Sequence, residues 1–210
     1  MNSTVKIILA SGSPRRKQLL KQINVDFTVQ VSNADEQYDA TKEPADIVQM
    51  LAMRKAEQVA DENDSADVLV IGADTIVVKG QAILEKPETT TDAEEMLLDL
   101  SDTTHQVLTG VAIVKSFTAG NKREVLTFFE STDVTFGKLD KFEIREYVAS
   151  GSPMDKAGAY GIQDDWGALF VKHIKGDFYN VVGLPLHSLY QKLKIFAPEL
   201  VSISINSSTP

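Results

Sequence analysis

The chain has 210 residues, of which 43% are hydrophobic and 24% are charged, and its formal net charge is -9. This length suits one sizeable α/β domain, or two closely associated lobes. The sequence has no cysteine, which excludes disulfides, thiolate metal sites and a cysteine nucleophile, and its three histidines are too scattered to form a metal cluster. The acidic balance argues against general binding of nucleic acid or anionic membranes, both of which need a basic face.

The N-terminal residues show no basic-then-apolar signal pattern, and no apolar run approaches the length of a membrane span. We therefore expect a cytoplasmic protein without a membrane partner. Any metal would have to be held by oxygen ligands, which favours magnesium or manganese.

The start of the chain predicts an apolar strand, a turn of small residues and a helix that opens on proline. Ser13 is a good helix N-cap, and Pro14 suits the first helical position. Arg15 and Arg16 then bring cations to the positive end of the helix dipole, which disfavours them by up to ~1 kcal/mol per charge. A bound phosphate resolves this conflict, because backbone N–H groups and the hydroxyls of Ser11 and Ser13 can donate to it. The alternative is an ordinary strand–helix joint with solvated arginines.

A second amphipathic helix is predicted from about Ala45 to Glu62, after a polar, acidic loop that contains Glu36. Lys55 falls near the middle of its apolar face, where a leucine would be expected. A buried ammonium is costly unless it is paired, so this lysine needs an anion. The alternative is a lysine whose charged end reaches past its neighbours to water.

The most hydrophobic segment, Val68 to Val78, lacks alternation and predicts a central strand covered on both faces. Asp74 and Thr75 are its only polar residues, and Gly72 before them permits a bend or a close approach. A carboxylate in such a strand needs a specific partner. This favours a functional Asp74 over an aspartate that caps a neighbouring loop.

The rest of the chain predicts further elements and one loop of interest. Lys86 lies on a stiff loop, where a lone lysine is usually only solvated. The glycine-rich segment that ends at Gln163 is typical of a loop that brings backbone and side chains against a ligand. Asp164 to Gly167 predicts a surface turn, and residues 202–210 predict a polar, frayed end. The other elements are a helix with a capping box at 91–94, strands over 106–114 and 124–136 with a turn at 119–121, a helix from Asp140 to about Gly151, a strand over 169–174 and a last helix to about Phe196.

Six of these segments, in this order, resemble the signature of the Maf family of nucleoside triphosphate pyrophosphatases, also known as septum formation inhibitor proteins. They are Ser11 to Arg16, the helix around Lys55, Gly72 to Thr75, Glu85 to Pro87, Asp155 to Gln163, and Val182 to Pro185. The resemblance implies a magnesium- or manganese-dependent hydrolase that cleaves a nucleoside triphosphate between the α and β phosphorus atoms. The implied fold is α/β, an elongated mixed sheet with flanking helices in two lobes around a cleft, similar to inosine triphosphate pyrophosphatase. Residues 1–197 would form this single domain, and residues 198–210 a polar tail.

The resemblance also implies a role for each candidate residue. Asp74 would accept the proton of the attacking water, and Glu36 would hold the metal, with Asp74 as a shared ligand. The substrate-binding residues would be Ser11, Ser13, Arg15, Arg16, Lys55, Thr75, Lys86 and Gln163. A triphosphate carries about four negative charges near neutral pH, so convergent cations would dominate its binding and cleavage. The sequence has no Walker lysine motif, which excludes a P-loop enzyme.

Base selection follows the same resemblance. The family's dTTP- and UTP-cleaving subgroup is similar to this chain over Ala159 to Gln163, whereas the subgroup that acts on 7-methyl-GTP carries a glutamate at the position of Gln163. An amide offers both a donor and an acceptor, which suits the edge of a pyrimidine. Arg15, Thr75 and Gln163 are therefore the expected specificity positions.

Two alternatives stay open at this point. One is a nucleotide-binding regulator of septum formation and cell division in which hydrolysis is incidental. The other is a pyrophosphatase of the 7-methyl-GTP type. Modified pyrimidine nucleotides are a further possible substrate, and a homodimer is expected from the base rate for enzymes.

Overall fold

A computed structural model describes residues 5–117 and 122–198. The helices are α1 (Pro14–Gln22), α2 (Pro44–Asp61), α3 (Thr90–Leu100), α4 (Lys141–Ala149), α5 (Asp165–Phe170), α6 (Phe178–Val182) and α7 (Leu186–Phe196). The strands are β1 (Lys6–Leu9), β2 (Thr28–Val29), β3 (Val68–Lys79), β4 (Ala82–Leu84), β5 (Thr104–Phe117), β6 (Lys122–Phe136) and β7 (Val171–Lys175). Two short 3-10 turns, Ser152–Asp155 and Ala157–Ala159, lie between α4 and α5. Among the helices in these ranges, none is long and apolar enough to cross a membrane.

The strands form one mixed sheet. Its order is β2-β1-β3-β5-β6-β7, and β4 pairs with β3 off this path. Strand β1 runs parallel to both β2 and β3, whereas β4 is antiparallel to β3 and β7 is antiparallel to β6. The predicted class, a mixed α/β sheet with flanking helices, is confirmed.

The chain divides into two compact units. Unit 1 comprises Met1–Asp74, Gly110–Phe129 and Gly183–Pro210, and unit 2 comprises Thr75–Thr109 and Glu130–Val182. The boundary falls between Asp74 and Thr75, so two adjacent candidate residues belong to different units. The single domain over residues 1–197 stays a prediction. The predicted turn at 119–121 lies outside the described residues, as does the predicted tail apart from residue 198.

Helix α2 packs its apolar face against β1 and β3 within unit 1. The shared core is fully buried and consists of Ile8, Ala10, Ala52, Ala56, Val59, Ala60, Val68, Val70, Ala112 and Val114. Each large aliphatic side chain buried in this way stabilises the fold by about 1.5–3 kcal/mol. Gly72 makes the approach of α2 to β3 close, because a Cβ there would overlap the carbonyl oxygen of Ala52 and the backbone of Ala56. As a result, Lys55 on α2 reaches Asp74 on β3.

Unit 2 has a core of aromatic rings. The centroids of Phe136 and Tyr160 lie 4.7 Å apart in an edge-to-face arrangement, and those of Tyr147 and Phe170 lie 5.4 Å apart in the same way. Such pairs contribute about 0.5–1.5 kcal/mol beyond the area that they bury. The Tyr147 hydroxyl accepts a hydrogen bond of 3.1 Å from the backbone N–H of Gly161. The aromatic core therefore anchors the glycine-rich segment.

The start of α3 differs from its prediction. Its N-cap is Thr89, whose Oγ1 accepts the backbone N–H of Asp92 at 3.1 Å, while Oδ2 of Asp92 accepts the backbone N–H of Thr89 at 3.0 Å. The helix thus begins before the capping box predicted at 91–94. Residues 89–91 are all threonine, and any of them could cap a helix, so composition alone does not select the first one.

The segment from Asp164 to Gly167 is not a surface turn. Asp164 is the N-cap of α5, and its carbonyl oxygen accepts the N–H of Ala168 at 2.7 Å. The helix packs closely here, because a Cβ at Gly167 would overlap the carbonyl oxygen of Gly161. Since α5 continues through Phe170, strand β7 begins at Val171 and not at residue 169 as predicted.

Candidate functional site

The side chain of Lys55 joins two carboxylates in unit 1. Its Nζ lies 2.6 Å from Oδ1 of Asp74 and 2.6 Å from Oε1 of Glu36. The side chains of Lys55 and Asp74 are only 13% and 15% exposed, whereas that of Glu36 is 63% exposed. Because burial reduces screening, the pair with Asp74 is the stronger of the two. The predicted need of Lys55 for an anion is confirmed, and Asp74 is its buried partner.

The start of α1 has the predicted local structure. Ser13 is the N-cap, and its Oγ accepts the backbone N–H of Arg16 at 3.5 Å, with Pro14 in the first turn. Ser11 is buried, and its Oγ accepts the backbone N–H of Ser13 and Nη1 of Arg16, each at 3.2 Å. The first turn, Pro14 to Lys17, contains no acidic residue. The helix dipole and the basic side chains there therefore add to one positive field.

The guanidinium of Arg16 is anchored near the two carboxylates. Its Nε donates to the carbonyl oxygen of Gly183 at 2.8 Å. Burial lowers the pKa of Arg16 from its ordinary value, although the charges of Asp74 and Glu36 raise it, and the charge of Arg15 lowers it further. These influences place Arg16 within electrostatic range of both carboxylates and of Arg15. We call Arg15, Arg16, Glu36, Lys55 and Asp74, all in unit 1, the charged cluster.

The hydroxyl of Thr75 belongs to a hydrogen-bond chain in unit 2. Thr109 donates its hydroxyl proton to the carbonyl oxygen of Asn180 at 2.9 Å. A hydroxyl has one proton, so Thr75 is the donor in its 2.9 Å contact with Thr109. Asn180 is fully buried, and its Nδ2 donates to Oγ1 of Thr132 at 3.0 Å. These hydrogen bonds fix the side chain of Thr75, the residue that follows Asp74 in the sequence.

Lys86 and Gln163, the other candidates in unit 2, lie on two adjoining loops. Lys86 is exposed after β4, and the carbonyl oxygen of the preceding Glu85 accepts the backbone N–H of Gly158 at 3.1 Å. Gln163 is also exposed, and its Nε2 donates to Oδ1 of Asp164 at 2.8 Å. A backbone hydrogen bond thus joins the loops that carry these two candidates.

Lys156 and Asp164 form an ion pair beside Gln163 that the sequence did not predict. Lys156 is buried, and its Nζ lies 2.9 Å from Oδ2 of Asp164 and 2.7 Å from Oδ1 of Asp155. Burial alone would lower the pKa of Lys156, but the hydrogen bonds to both carboxylates raise it above its ordinary value. The available signal was a lysine in a glycine-rich segment. Its pairing with Asp164 depends on how the 3-10 turns bend the chain, which local pattern does not show.

Glu36 and Asp74 are the predicted metal ligands. Each places an oxygen 2.6 Å from the same Nζ, so the two oxygens are no farther apart than twice that distance. Within residues 5–117 and 122–198, no three or more histidine, cysteine, aspartate or glutamate side chains form a group that could hold a metal ion. Magnesium is often held by one or two carboxylates together with substrate phosphates and water. The two carboxylates therefore fit an ion that binds together with a nucleotide.

Comparison with known proteins identifies the family of the chain. The family model described as Maf-like protein matches residues 6–196. The dTTP/UTP pyrophosphatases of Bacillus thuringiensis subsp. konkukian (strain 97-27) and Bacillus anthracis are each 51% identical over 191 residues, which cover 91% of this chain and 95% of each relative. The dTTP/UTP pyrophosphatase of Bacillus cytotoxicus is 50% identical over the same shares. The chain belongs to the Maf family.

Proposed function

We propose that this protein is a nucleoside triphosphate pyrophosphatase that hydrolyses dTTP and UTP, and possible modified forms of them, to the monophosphate and pyrophosphate. The observation that carries the proposal is the charged cluster, in which Lys55 and Arg16 lie near Asp74 and Glu36, and Arg15 lies near Arg16, in a chain of net charge -9. The names of the Bacillus relatives support the same activity and the same two substrates.

The start of α1 is assigned to the phosphates. Its backbone N–H groups and helix dipole favour an anion, and Arg15 and Arg16 supply counter-charge. Ser11 accepts two hydrogen bonds from the protein, so its hydroxyl proton is directed away from them and can be donated to a phosphate oxygen. Ser13 joins it in this assignment.

Asp74 is assigned as the general base. Its Oδ1 accepts a hydrogen bond from Lys55 at 2.6 Å, which fixes the carboxylate and leaves Oδ2 to accept a proton from water. The water oxygen then bonds to the α phosphorus while the bond to the α–β bridging oxygen breaks, and pyrophosphate leaves with that electron pair. Arg15, Arg16 and Lys55 stabilise the charge that develops on the phosphate oxygens.

A divalent ion, Mg²⁺ or Mn²⁺, is the proposed cofactor. Glu36 and Asp74 would hold it, because their oxygens lie together beside Lys55. When bound, such an ion supplies further neutralisation of the phosphate charge.

The remaining assignments depend on the family resemblance. Lys86 is assigned to substrate binding, and Arg15, Thr75 and Gln163 to the selection of the base. A homodimer, a cytoplasmic location and the absence of a nucleic-acid partner stay predictions from base rate, sequence pattern and net charge.

The direct test is an assay with a panel of nucleotides. The protein is incubated with dTTP, UTP, CTP or 7-methyl-GTP in the presence of Mg²⁺, Mn²⁺ or a chelator, and both products are identified. We expect pyrophosphate and the nucleoside monophosphate from dTTP and UTP, and only with a metal present. Release of inorganic phosphate and a diphosphate would contradict cleavage at the α–β bond, and no turnover of any nucleotide would contradict the proposal as a whole.

A further inference from the structure

We propose that Asp164 and Lys156 are positioning residues that fix the direction of the Gln163 side-chain amide, and through it the preference among pyrimidine bases. The inference rests on the function proposed above, in which Gln163 meets the base. It concerns two residues that neither the sequence motifs nor the proposed mechanism assigns a role.

The contact between Gln163 and Asp164 permits one direction of the amide. Nε2 of Gln163 donates to Oδ1 of Asp164 at 2.8 Å. An ionised carboxylate can only accept hydrogen bonds, so the amide nitrogen must face it and the carbonyl oxygen must face away. Rotation of the amide by half a turn would bring two acceptor oxygens together. An exposed glutamine without such a neighbour would adopt both directions.

Asp164 is itself held at both its backbone and its side chain. Its N–H donates to the carbonyl oxygen of Gly161 at 3.0 Å, and its own carbonyl oxygen accepts the N–H of Ala168 at 2.7 Å as the N-cap of α5. Its second carboxylate oxygen, Oδ2, lies 2.9 Å from Nζ of Lys156. The two carboxylate oxygens therefore have different partners, and the plane of the group is fixed between them.

The lysine that holds Asp164 is equally constrained. Nζ of Lys156 donates to the carbonyl oxygen of Ser152 at 2.5 Å and to Oδ1 of Asp155 at 2.7 Å. A Cβ at Gly161 would overlap the Asp164 carboxylate and approach Cε of Lys156, so this ion pair packs directly on the backbone there. A buried, fully partnered ammonium loses little further freedom when it orients a carboxylate.

A fixed amide discriminates between bases that a rotating amide would accept alike. Uracil and thymine carry an N3–H donor between two carbonyl oxygens, whereas cytosine carries an N3 acceptor beside an amino group. With its direction fixed, Gln163 presents an acceptor and a donor at set positions, and only one of these two patterns can match them. A site built to bond one pattern leaves polar groups unpaired with the other, which is the general source of strong discrimination.

The test is the ratio of kcat/KM for UTP to kcat/KM for CTP. Asp164→Asn keeps the size of the side chain, but the ammonium of Lys156 can only donate and so retains the amide oxygen of residue 164. The amide nitrogen then faces Gln163 and favours the reversed direction of the Gln163 amide. We expect this ratio to fall by about tenfold, mainly through a higher KM for UTP. The matched control is Asp155→Asn, which removes the other carboxylate partner of Lys156 and should leave the ratio within about twofold of the wild-type value.

Equal losses on UTP and CTP, or an unchanged ratio, would overturn the positioning role while the pyrophosphatase activity of the wild type still stands. Absence of pyrophosphate release by the wild type from both dTTP and UTP would instead overturn the proposed function, and this inference with it. If Asp164→Asn does not fold, the wild type gives a second measurement. In ¹⁵N-labelled protein, one Nε2 proton of Gln163 should exchange with solvent severalfold more slowly than the other, and equal rates would overturn the inference.

Discussion

The Nζ of Lys55 lies 2.6 Å from Oδ1 of Asp74, and both side chains are largely buried. The pair links α2 to β3 inside unit 1. Bringing two charges out of water is costly, so a buried pair of this kind is weak evidence for stability, whereas loss of one partner leaves an uncompensated charge. Its place in the charged cluster supports the proposal that the pair serves the chemistry.

Lys55→Met should lower kcat/KM for UTP by about 100-fold. It removes a cation from the charged cluster, to which the phosphates are assigned, and it leaves the Asp74 carboxylate without its ion-pair partner. The control is Lys79→Met. Lys79 and Asp99 also lie 2.6 Å apart, but Asp99 is exposed, and surface pairs contribute only ~0.2–1 kcal/mol. The control should keep wild-type turnover. A Lys55→Met protein with more than half of the wild-type activity would contradict the assignment.

Arg16→Lys tests whether the guanidinium or only its charge is needed. A lysine keeps the charge but cannot donate both to the carbonyl oxygen of Gly183 and to Oγ of Ser11. We expect kcat/KM to fall by about tenfold, and by the same factor for dTTP, UTP and CTP, because all three share the phosphates. Arg145→Lys, at an exposed position on α4, is the matched control. A loss confined to one nucleotide would show that Arg16 reads the base.

His105 should make the stability of the protein depend on pH. It is buried on β5, and its Nε2 bonds to the Tyr160 hydroxyl at 2.8 Å. Burial, with a smaller effect of the Lys79 charge, lowers the pKa of His105 to about 4 from an ordinary value of 6.5. The unfolded chain therefore takes up the proton first as the pH falls. Stability is fully present above pH 6.5 and is lost towards pH 4, by about 2 kcal/mol at pH 5.

Urea denaturation at pH 7.5 and pH 5.0 measures this effect. The difference in unfolding free energy between the two pH values should shrink by about 2 kcal/mol in His105→Gln and stay unchanged in His173→Gln, whose imidazole is exposed. Equal pH dependence in the wild type and His105→Gln would rule out this role of the buried imidazole.

The sequence predicted those parts of the site in which a residue conflicts with its local pattern. Lys55 on an apolar helix face and Asp74 in an apolar strand each needed a partner, and the structure pairs them with each other. Arginines at the positive end of α1 conflicted with the helix dipole, and they lie in the charged cluster. Such conflicts are visible in sequence because burying an unpaired charge is costly in any fold.

Other features could not be predicted because they depend on tertiary packing. The composition of Asp164 to Gly167 predicts a turn, but the structure has a helix that begins at Asp165. Its close packing at Gly167 against the carbonyl oxygen of Gly161 is a tertiary contact that composition does not show. The ion pair of Lys156 with Asp164 needs the 3-10 turn Ala157–Ala159 between its partners. Neither arrangement has a periodicity that a single sequence could reveal.

The most direct test of the central claim is the turnover of UTP by Asp74→Asn. The amide cannot accept the proton of the attacking water, but it keeps the shape of the side chain. With Mg²⁺ present, we expect pyrophosphate release to fall by at least about 10³-fold, while the Kd of a non-hydrolysable UTP analogue changes by less than about threefold. Asp99→Asn should retain wild-type turnover. An Asp74→Asn protein that keeps more than about a tenth of the wild-type rate would contradict the claim that Asp74 is the base.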